Sequence, residues 1–179
     1  EDEFGGDVTI NYPDGEENGK IAGPQHNYGS HGTGVATIIG GDPNNGGASG
    51  VAGPLGKKLT MSITNHNSGN YGDTTATPDP NDPSKFVAAD GKTYSYGSLV
   101  AIKKQVESGA TVINCSWGAD LCHPGTALIY KKFFEKMAAD HPDVLFVCAA
   151  GNTNKTALDN RTSFPCGHNL PNMITVGAV

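Results

Sequence analysis

The chain has 179 residues, 36% hydrophobic and 17% charged, so it is long enough for one domain with a core and too short for two. Its 25 glycines and 11 prolines are nearly double the usual share and exclude a coiled coil or a helical bundle. A net charge of −6 without a basic cluster argues against a nucleic-acid partner, and the sequence predicts neither a membrane span nor a signal peptide.

Short apolar runs alternate with helical patterns along the chain after residue 58, which is typical of βαβ units and a parallel sheet. The runs are too short and too rich in β-branched residues to be helices. Two of them are apolar almost throughout, as expected of strands that are covered on both faces. The predicted strands are 59–63, 111–116, 144–150 and 173–179, the second and third being the covered ones.

Three segments carry the helical period. Apolar residues recur at spacings of three and four over 98–108, and Gly109 follows as a C-terminal cap. The same pattern covers 126–140 and breaks at Pro142. A shorter helix is predicted from Ser30, as its N-cap, to the pair at 40–41.

These elements predict one α/β domain over 1–179 with a central, mostly parallel sheet. Residues 65–97 are polar, show little hydrophobic period and are predicted to be a loop insertion. Residues 1–29 are also polar, with few apolar anchors.

The local feature that points most clearly to chemistry is His31, at the first turn of the short helix and beside Gly32 and Gly34. The glycines leave space for a substrate or a nucleophile to approach the imidazole. A helix N-terminus disfavours the imidazolium, so a general base here needs a carboxylate partner. A capped helix with an incidental histidine is an equally good interpretation of the spacing alone.

Two predicted strands end in small residues. Ser116, Trp117 and Gly118 follow one strand, and Ala149, Ala150 and Gly151 follow the other. Ligand crevices of parallel sheets lie at the carboxyl ends of strands, so these segments are expected to line one. Asn152 offers an amide donor there that could stabilise an oxyanion, although Gly151-Asn152 is also typical of a simple turn.

A dinucleotide-binding domain is a competing interpretation, because Gly32 and Gly34 have the spacing of a phosphate-binding loop. That fingerprint requires an apolar strand directly before it, whereas polar residues precede it here. The nucleotide interpretation is therefore the weaker one.

Five blocks together resemble the subtilisin-like serine proteases (subtilases), and they stand in that family's order. They are HGTGVATIIGG at 31–41, GASGVAGP at 47–54, VINCSWGA at 112–119, FVCAAGN at 146–152, and FP followed by NMITVGAV at 164–179. The resemblance implies a three-layer fold with helices on both faces of the sheet, and endopeptidase activity through a Ser-His-Asp triad.

The resemblance also assigns roles. His31 resembles the general base of the triad, and Asn152 resembles the oxyanion-hole asparagine. The segments 116–118 and 149–151 resemble the two walls of the P1 pocket, which also pair with the substrate backbone. Trp117 would add bulk to the P1 or P4 wall, and 92–96 (KTYSY) would form the opposite edge strand.

Two members of the triad are missing from these blocks. None of the ten serines stands in the Gly-Thr-Ser-x-Ala block of the family nucleophile. Asp2 lacks the apolar strand before it and the Ser-Gly or Thr-Gly after it that mark the triad aspartate. We therefore expect a catalytic-domain fragment truncated at both ends and inactive alone. A non-catalytic peptide-binding pseudoprotease is the alternative.

The resemblance places a structural calcium site at 42–47 (DPNNGG), where Asp42 and Asn44 supply oxygen ligands. A solvated turn explains this loop equally well, and no cofactor is required for the chemistry.

The four cysteines allow several interpretations. Cys115 and Cys148 are expected to be free and buried in adjacent strands. Cys122 and Cys166 could form a disulfide or remain two thiols. Zinc is disfavoured because the Cys-x2-Cys spacing of structural sites is missing.

The expected partner is a peptide or protein substrate, and the expected state is a monomer. The resemblance implies a secreted or extracytoplasmic protein, in which Asn154 and Asn160 would be glycosylation sites if the source secretes glycoproteins.

Overall fold

The computed structural model describes residues 7–11, 29–44, 46, 49–64, 77–118, 124–151 and 164–177. The chain divides into two compact units, Glu1–His66 and Asn67–Val179. Within the described ranges, no helix is both long and apolar enough to cross a membrane.

The first unit pairs two parallel strands beside one helix. Strand β1 (Asp7–Asn11) runs along β2 (Thr60–Thr64), with Val8 opposite Met61 and Ile10 opposite Ile63. Helix α1 (Gly29–Gly40) precedes a 3₁₀ segment over Gly53–Lys58. Strand β2 was predicted to within one residue, whereas β1 falls in a stretch for which the sequence predicted no element.

The second unit holds two sheets and two long helices. A small antiparallel sheet consists of β3 (Thr77–Pro78), β4 (Lys85–Val87) and β5 (Thr93–Ser95), in the order β3-β4-β5. A parallel sheet has the order β6-β7-β8, from Val112–Cys115, Leu145–Ala149 and Met173–Val176. Helix α2 (Gly97–Glu107) precedes β6 in the chain, and helix α3 (Pro124–Asp140) lies between β6 and β7.

The core of the second unit lies between α2, α3 and one face of the parallel sheet. Its largest members are aromatic: Phe134 meets Phe133 and Phe146 edge-on, each with ring centroids 5.4 Å apart. Leu99 of α2 is also fully buried. Burying one such side chain contributes about 1.5–3 kcal/mol, which fixes both helices on the sheet.

Both helices cover the same face of the parallel sheet. Alternate residues of β6 and β7 are buried in this core: Ile113, Cys115, Phe146 and Cys148. On the opposite face, Val112 is 58% exposed and Val176 is 53% exposed. The described residues of the second unit thus show one covered face of β6, and the expectation that 111–116 is covered on both faces stays a prediction.

The stretch predicted as a loop insertion is partly structured. Its residues 77–97 contain β3, β4 and β5, while 65–76 lie outside the described residues. Phe86 of β4 is fully buried and stacks on Tyr96 with ring centroids 4.7 Å apart. Strand β4 therefore contributes to the main core.

The α/β class with a parallel sheet and helices is confirmed by these elements. Six of the seven predicted strands and helices lie within two residues of their predicted bounds at both ends, and the seventh, predicted over 173–179, is observed as Met173–Val176. Helices on both faces of the sheet remain a prediction.

Candidate active site

His31 lies in the first turn of α1 and is exposed. The helix begins at Gly29, one residue before the serine predicted to cap it. A Cβ atom added to Gly32 or to Gly34 would meet no heavy atom within 4 Å. The imidazole therefore stands on an open helix surface, where glycines leave the approach unobstructed.

A glycine-containing turn closes the other end of this helix. The main-chain N–H groups of Gly50, Val51 and Ala52 donate to the carbonyls of Gly41, Ile38 and Ile39 at 2.7–2.9 Å. These carbonyls belong to the group that a helix C-terminus leaves without intrahelical partners. The segment 50–52 thus anchors the helix that carries His31, a role that the sequence analysis did not assign to it.

The turn packs so closely against the end of α1 that position 50 has no room for a side chain. A Cβ on Gly50 would lie 2.6 Å from the Gly40 nitrogen and 2.7 Å from the Ile39 carbonyl carbon. On the other side of the helix end, a Cβ on Gly40 would lie 2.8 Å from Leu59 Cδ2. Glycine is needed at position 50, where the added Cβ would meet only backbone atoms, whereas at position 40 it would meet the movable ends of the Leu59 and Met61 side chains.

The two small-residue segments leave adjacent strands at the same edge of the sheet. Strands β6 and β7 are parallel, with Cys115 opposite Cys148. The segment 116–118 follows β6 directly, and Ala150 and Gly151 follow β7. The expectation that these two strands are neighbours is confirmed.

Hydrogen bonds and a turn fix the shape of the two segments. The Ala150 N–H donates to the Val176 carbonyl at 2.8 Å, which extends the pairing of β7 with β8. Gly151 then turns away with φ +95°, a conformation that favours glycine. In the other segment, Asn114 Nδ2 donates to Ser116 Oγ at 2.8 Å.

Aromatic rings support the 116–118 segment from the core side. Trp117 is half-buried and meets Tyr130 of α3 edge-on, with ring centroids 6.1 Å apart. Tyr130 packs on Phe164 at 4.2 Å, and its hydroxyl shares a 2.6 Å hydrogen bond with Ser98 Oγ. Helices α2 and α3 therefore hold the ring on which Trp117 rests.

Phe164 is a site residue that the sequence analysis did not single out. Its carbonyl oxygen would lie 3.0 Å from a Cβ on Gly118, so the 164–165 turn presses on the end of the 116–118 segment. The Phe164–Pro165 peptide bond is cis. The Phe-Pro dipeptide was noted only as part of the resemblance, and nothing in the sequence indicated which segment it would contact.

The structure brings together some of the predicted site residues. Both small-residue segments, 116–118 and 149–151, lie at one edge of the sheet of the second unit. His31 belongs to the first unit. Asn152 lies outside the described residues, as do the sequons at Asn154 and Asn160.

Cys166 is buried, and its Sγ lies 4.0 Å from the Ala150 carbonyl oxygen. Cys122 lies outside the described residues, so a disulfide between Cys122 and Cys166 and two separate thiols both remain predictions. Burial lowers the pKa of nearby His168, with Lys131 adding to the effect and Glu135 opposing it. Among the residues described, no group of three or more His, Cys, Asp or Glu side chains could hold a metal ion.

The proposed calcium loop offers few ligands in its described part. Asp42 Oδ1 accepts hydrogen bonds from the main-chain N–H and the side-chain amide of Asn44, at 2.9 and 3.1 Å. Calcium takes six to eight oxygen ligands. Asp42 and Asn44 bonded to each other do not provide such a set, while residues 45, 47 and 48 lie outside the described ranges.

An open cleft of about 600 Å³ lies elsewhere, between the 78–83 tract and α3. Its lining contains Leu128 and the ion-paired side chains Lys132 and Glu135, which lie 2.9 Å apart. It contains no Ser, Cys or His side chain. None of the predicted site residues lines this cleft.

Comparison with known proteins gives one match. A family model described as the subtilase family matches residues 6–179. No curated protein and no solved structure matches the chain.

Proposed function

The chain belongs to the subtilase family of serine proteases, and on that premise we propose that it supplies the substrate cleft, the general base and the oxyanion donor of an endopeptidase. The observation that carries the proposal is the parallel pairing of β6 with β7, which starts the 116–118 and 149–151 segments side by side. An extended peptide would run between them, with its P1 or P4 side chain against Trp117.

His31 would act as the general base and Asn152 as the oxyanion donor. The base takes the proton of a serine nucleophile during attack on the peptide carbonyl, and a carboxylate stabilises the imidazolium that forms. The Asn152 amide donates to the developing oxyanion, and loss of one such donor typically lowers kcat about 10²–10³-fold. Small residues at 149–151 let the scissile bond approach that donor.

The nucleophile would come from sequence other than these 179 residues, because none of the ten serines stands in the family's nucleophile block. Peptide binding without hydrolysis is therefore the activity expected of the chain alone. A pseudoprotease would bind peptide in the same way, and only a protein that also carries the serine block would cleave it.

Trp117 provides a direct test of the cleft, because it is the only tryptophan. Titration of the chain with an uncleaved peptide should change tryptophan fluorescence in a saturable way. Replacing Ala150 with leucine enlarges the middle of one wall and should weaken binding at least about tenfold, or about 1.4 kcal/mol. The matched control is Ala139→Leu, at an exposed position of α3.

Two results would contradict the proposed cleft. One is a peptide titration without a saturable change in fluorescence. The other is equal weakening by Ala150→Leu and Ala139→Leu, which would place the bound peptide away from the 149–151 segment.

The remaining expectations are parts of the same proposal. We expect a monomer that is secreted or extracytoplasmic, and KTYSY as the opposite edge of the cleft; its residues 93–95 form β5. A calcium titration that raises the melting temperature would support the ion at 42–47, and a flat titration would dispose of it.

A further inference from the structure

Two cysteine thiols face each other across β6 and β7, and the proposed protease chemistry uses neither. Cys115 and Cys148 are register partners in these parallel strands, and they are 0% and 1% exposed. Both are thiols in this structure.

The placement meets the requirement for a covalent link. Neighbouring strands lie about 4.8 Å apart, and disulfides are found with Cα atoms about 4.4–6.8 Å apart. Register partners of a parallel pair also project to the same face of the sheet. The strands therefore do not have to separate or slide for the two sulfurs to bond.

The third described cysteine is placed differently. Cys166 is buried as well, but it lies beside the end of β7, with its sulfur near the Ala150 carbonyl and its own carbonyl accepting from Thr175 Oγ1 at 3.0 Å. It is not a register partner of Cys115 or of Cys148. Strand pairing thus selects one pair of sulfurs among the three.

We propose that Cys115 and Cys148 are a dithiol site that hydrogen peroxide, or another small peroxide, converts to a cross-strand disulfide. One thiolate attacks a peroxide oxygen, forming a sulfenic acid and releasing water. The second sulfur attacks the sulfenic sulfur, and the hydroxyl group leaves as water. Two thiols and one hydrogen peroxide give one disulfide and two waters, with two electrons passing from sulfur to peroxide.

The surroundings favour this oxidant and this product. Buried sulfurs have no room for a bulky mixed disulfide, whereas hydrogen peroxide is close to water in size. The disulfide carries no charge, so burial does not penalise it. The hydrogen bond to Cys148 and burial raise the pKa of the Cys115 thiol, so the reaction should be slow at neutral pH and accelerate as the pH rises.

The disulfide would join the strands one residue before Ser116 and Ala149, where both proposed wall segments begin. Any effect on peptide binding would rest on the proposed function. The sulfur chemistry itself does not, and it can be measured without a peptide or an activity assay.

The test is peroxide treatment of the folded chain, followed by alkylation of the remaining thiols, proteolytic digestion and mass spectrometry. We expect a peptide pair linked through Cys115 and Cys148, lighter by two hydrogens and separated by a dithiol reductant. Its rate of formation should rise up to about tenfold per pH unit while the attacking thiol is mainly protonated. The link should persist in Cys166→Ala and be lost in Cys148→Ala.

A chain oxidised after unfolding in urea controls for chance pairing, because Cys122 and Cys166 should then appear in links as well. The proposal is wrong if, in the folded chain, Cys115 and Cys148 are both recovered as alkylated thiols. It is equally wrong if they are linked mainly to other cysteines or are oxidised separately to sulfinic acids. These outcomes require no variant to fold.

Discussion

Replacing Gly50 with alanine tests whether the turn at 50–52 anchors the helix that carries His31. The added Cβ would lie 2.6 Å from the Gly40 nitrogen and 2.7 Å from the Ile39 carbonyl carbon, and it would also contact the Gly41 nitrogen. All of these are backbone atoms, which cannot swing away as the end of a flexible side chain could. The turn must therefore move off the end of α1.

The magnitude follows from the contacts that such a movement disturbs. Overpacking of this kind costs about 1–3 kcal/mol, and each hydrogen bond lost adds about 1 kcal/mol net. Three bonds join the segment 50–52 to the helix end, and we expect one or two of them to break. The free energy of unfolding should fall by about 2–5 kcal/mol, a large part of the roughly 5–15 kcal/mol typical of a folded protein.

Gly34→Ala is the matched control, because it adds the same methyl group at a glycine within α1 itself. Gly34 is exposed and a Cβ there has no heavy atom within 4 Å, so the change should stabilise the helix by about 0.5–1 kcal/mol. Urea unfolding followed by circular dichroism gives both free energies, and hydrogen exchange of the α1 amides locates the change. Equal stability of Gly50→Ala and the parent chain would refute the anchoring role.

Two further changes test the energetics of the second unit. Burial alone would raise the pKa of Asp82, but hydrogen bonds from Ser84 and Lys103 lower it to about 2 from 3.8. This stabilisation is complete above about pH 4 and is lost as the pH falls through 2. After allowance for solvent screening, Asp82→Asn should lower the free energy of unfolding by about 1 kcal/mol at pH 7. Below pH 2 the same substitution should have almost no effect. The control is the same substitution at Asp140, which forms an exposed ion pair with Lys136. A loss of stability in Asp82→Asn that does not depend on pH would contradict the assignment. Phe134→Ala should lower the free energy of unfolding in urea by about 3–5 kcal/mol, whereas Leu128→Ala, at an exposed position, should lower it by about 0.5 kcal/mol or less. Similar losses in the two variants would show that α3 does not bury the face that carries Phe134.

Elements with a strong hydrophobic period could be predicted from the sequence. Helix α2 has Leu99, Ile102 and Val106 at helical spacing, and all three are buried in the core. The apolar runs of β6 and β7 likewise identified neighbouring strands. In these elements the local preference and the long-range packing agree, so the pattern alone was sufficient.

Elements that depend on distant partners could not be predicted. Strands β3, β4 and β5 have two or three residues each, too few to show an alternation, and Phe86 is buried only because it packs on Tyr96 and the core. In β1, Val8 and Ile10 were visible as apolar residues, but the pairing with β2 is set by residues some fifty positions away.

The candidate site shows the same division. Small residues after β6 and β7 marked the sheet edge at which the two segments meet, because parallel strands place their carboxyl ends together. The contacts that hold those segments, from Phe164 against Gly118 and Tyr130 against Trp117, join residues that are far apart in the chain. No local pattern encodes such contacts.

The central claim is that the chain contributes the base and the cleft of a subtilase but not the nucleophile. Its most direct test is turnover of a chromogenic peptide by the 179-residue chain beside its His31→Ala variant. Both proteins should remain at the background rate, because a triad without its serine forms no acyl-enzyme. Clear turnover by the chain that disappears in His31→Ala would contradict the account, since it would show a complete triad within these residues.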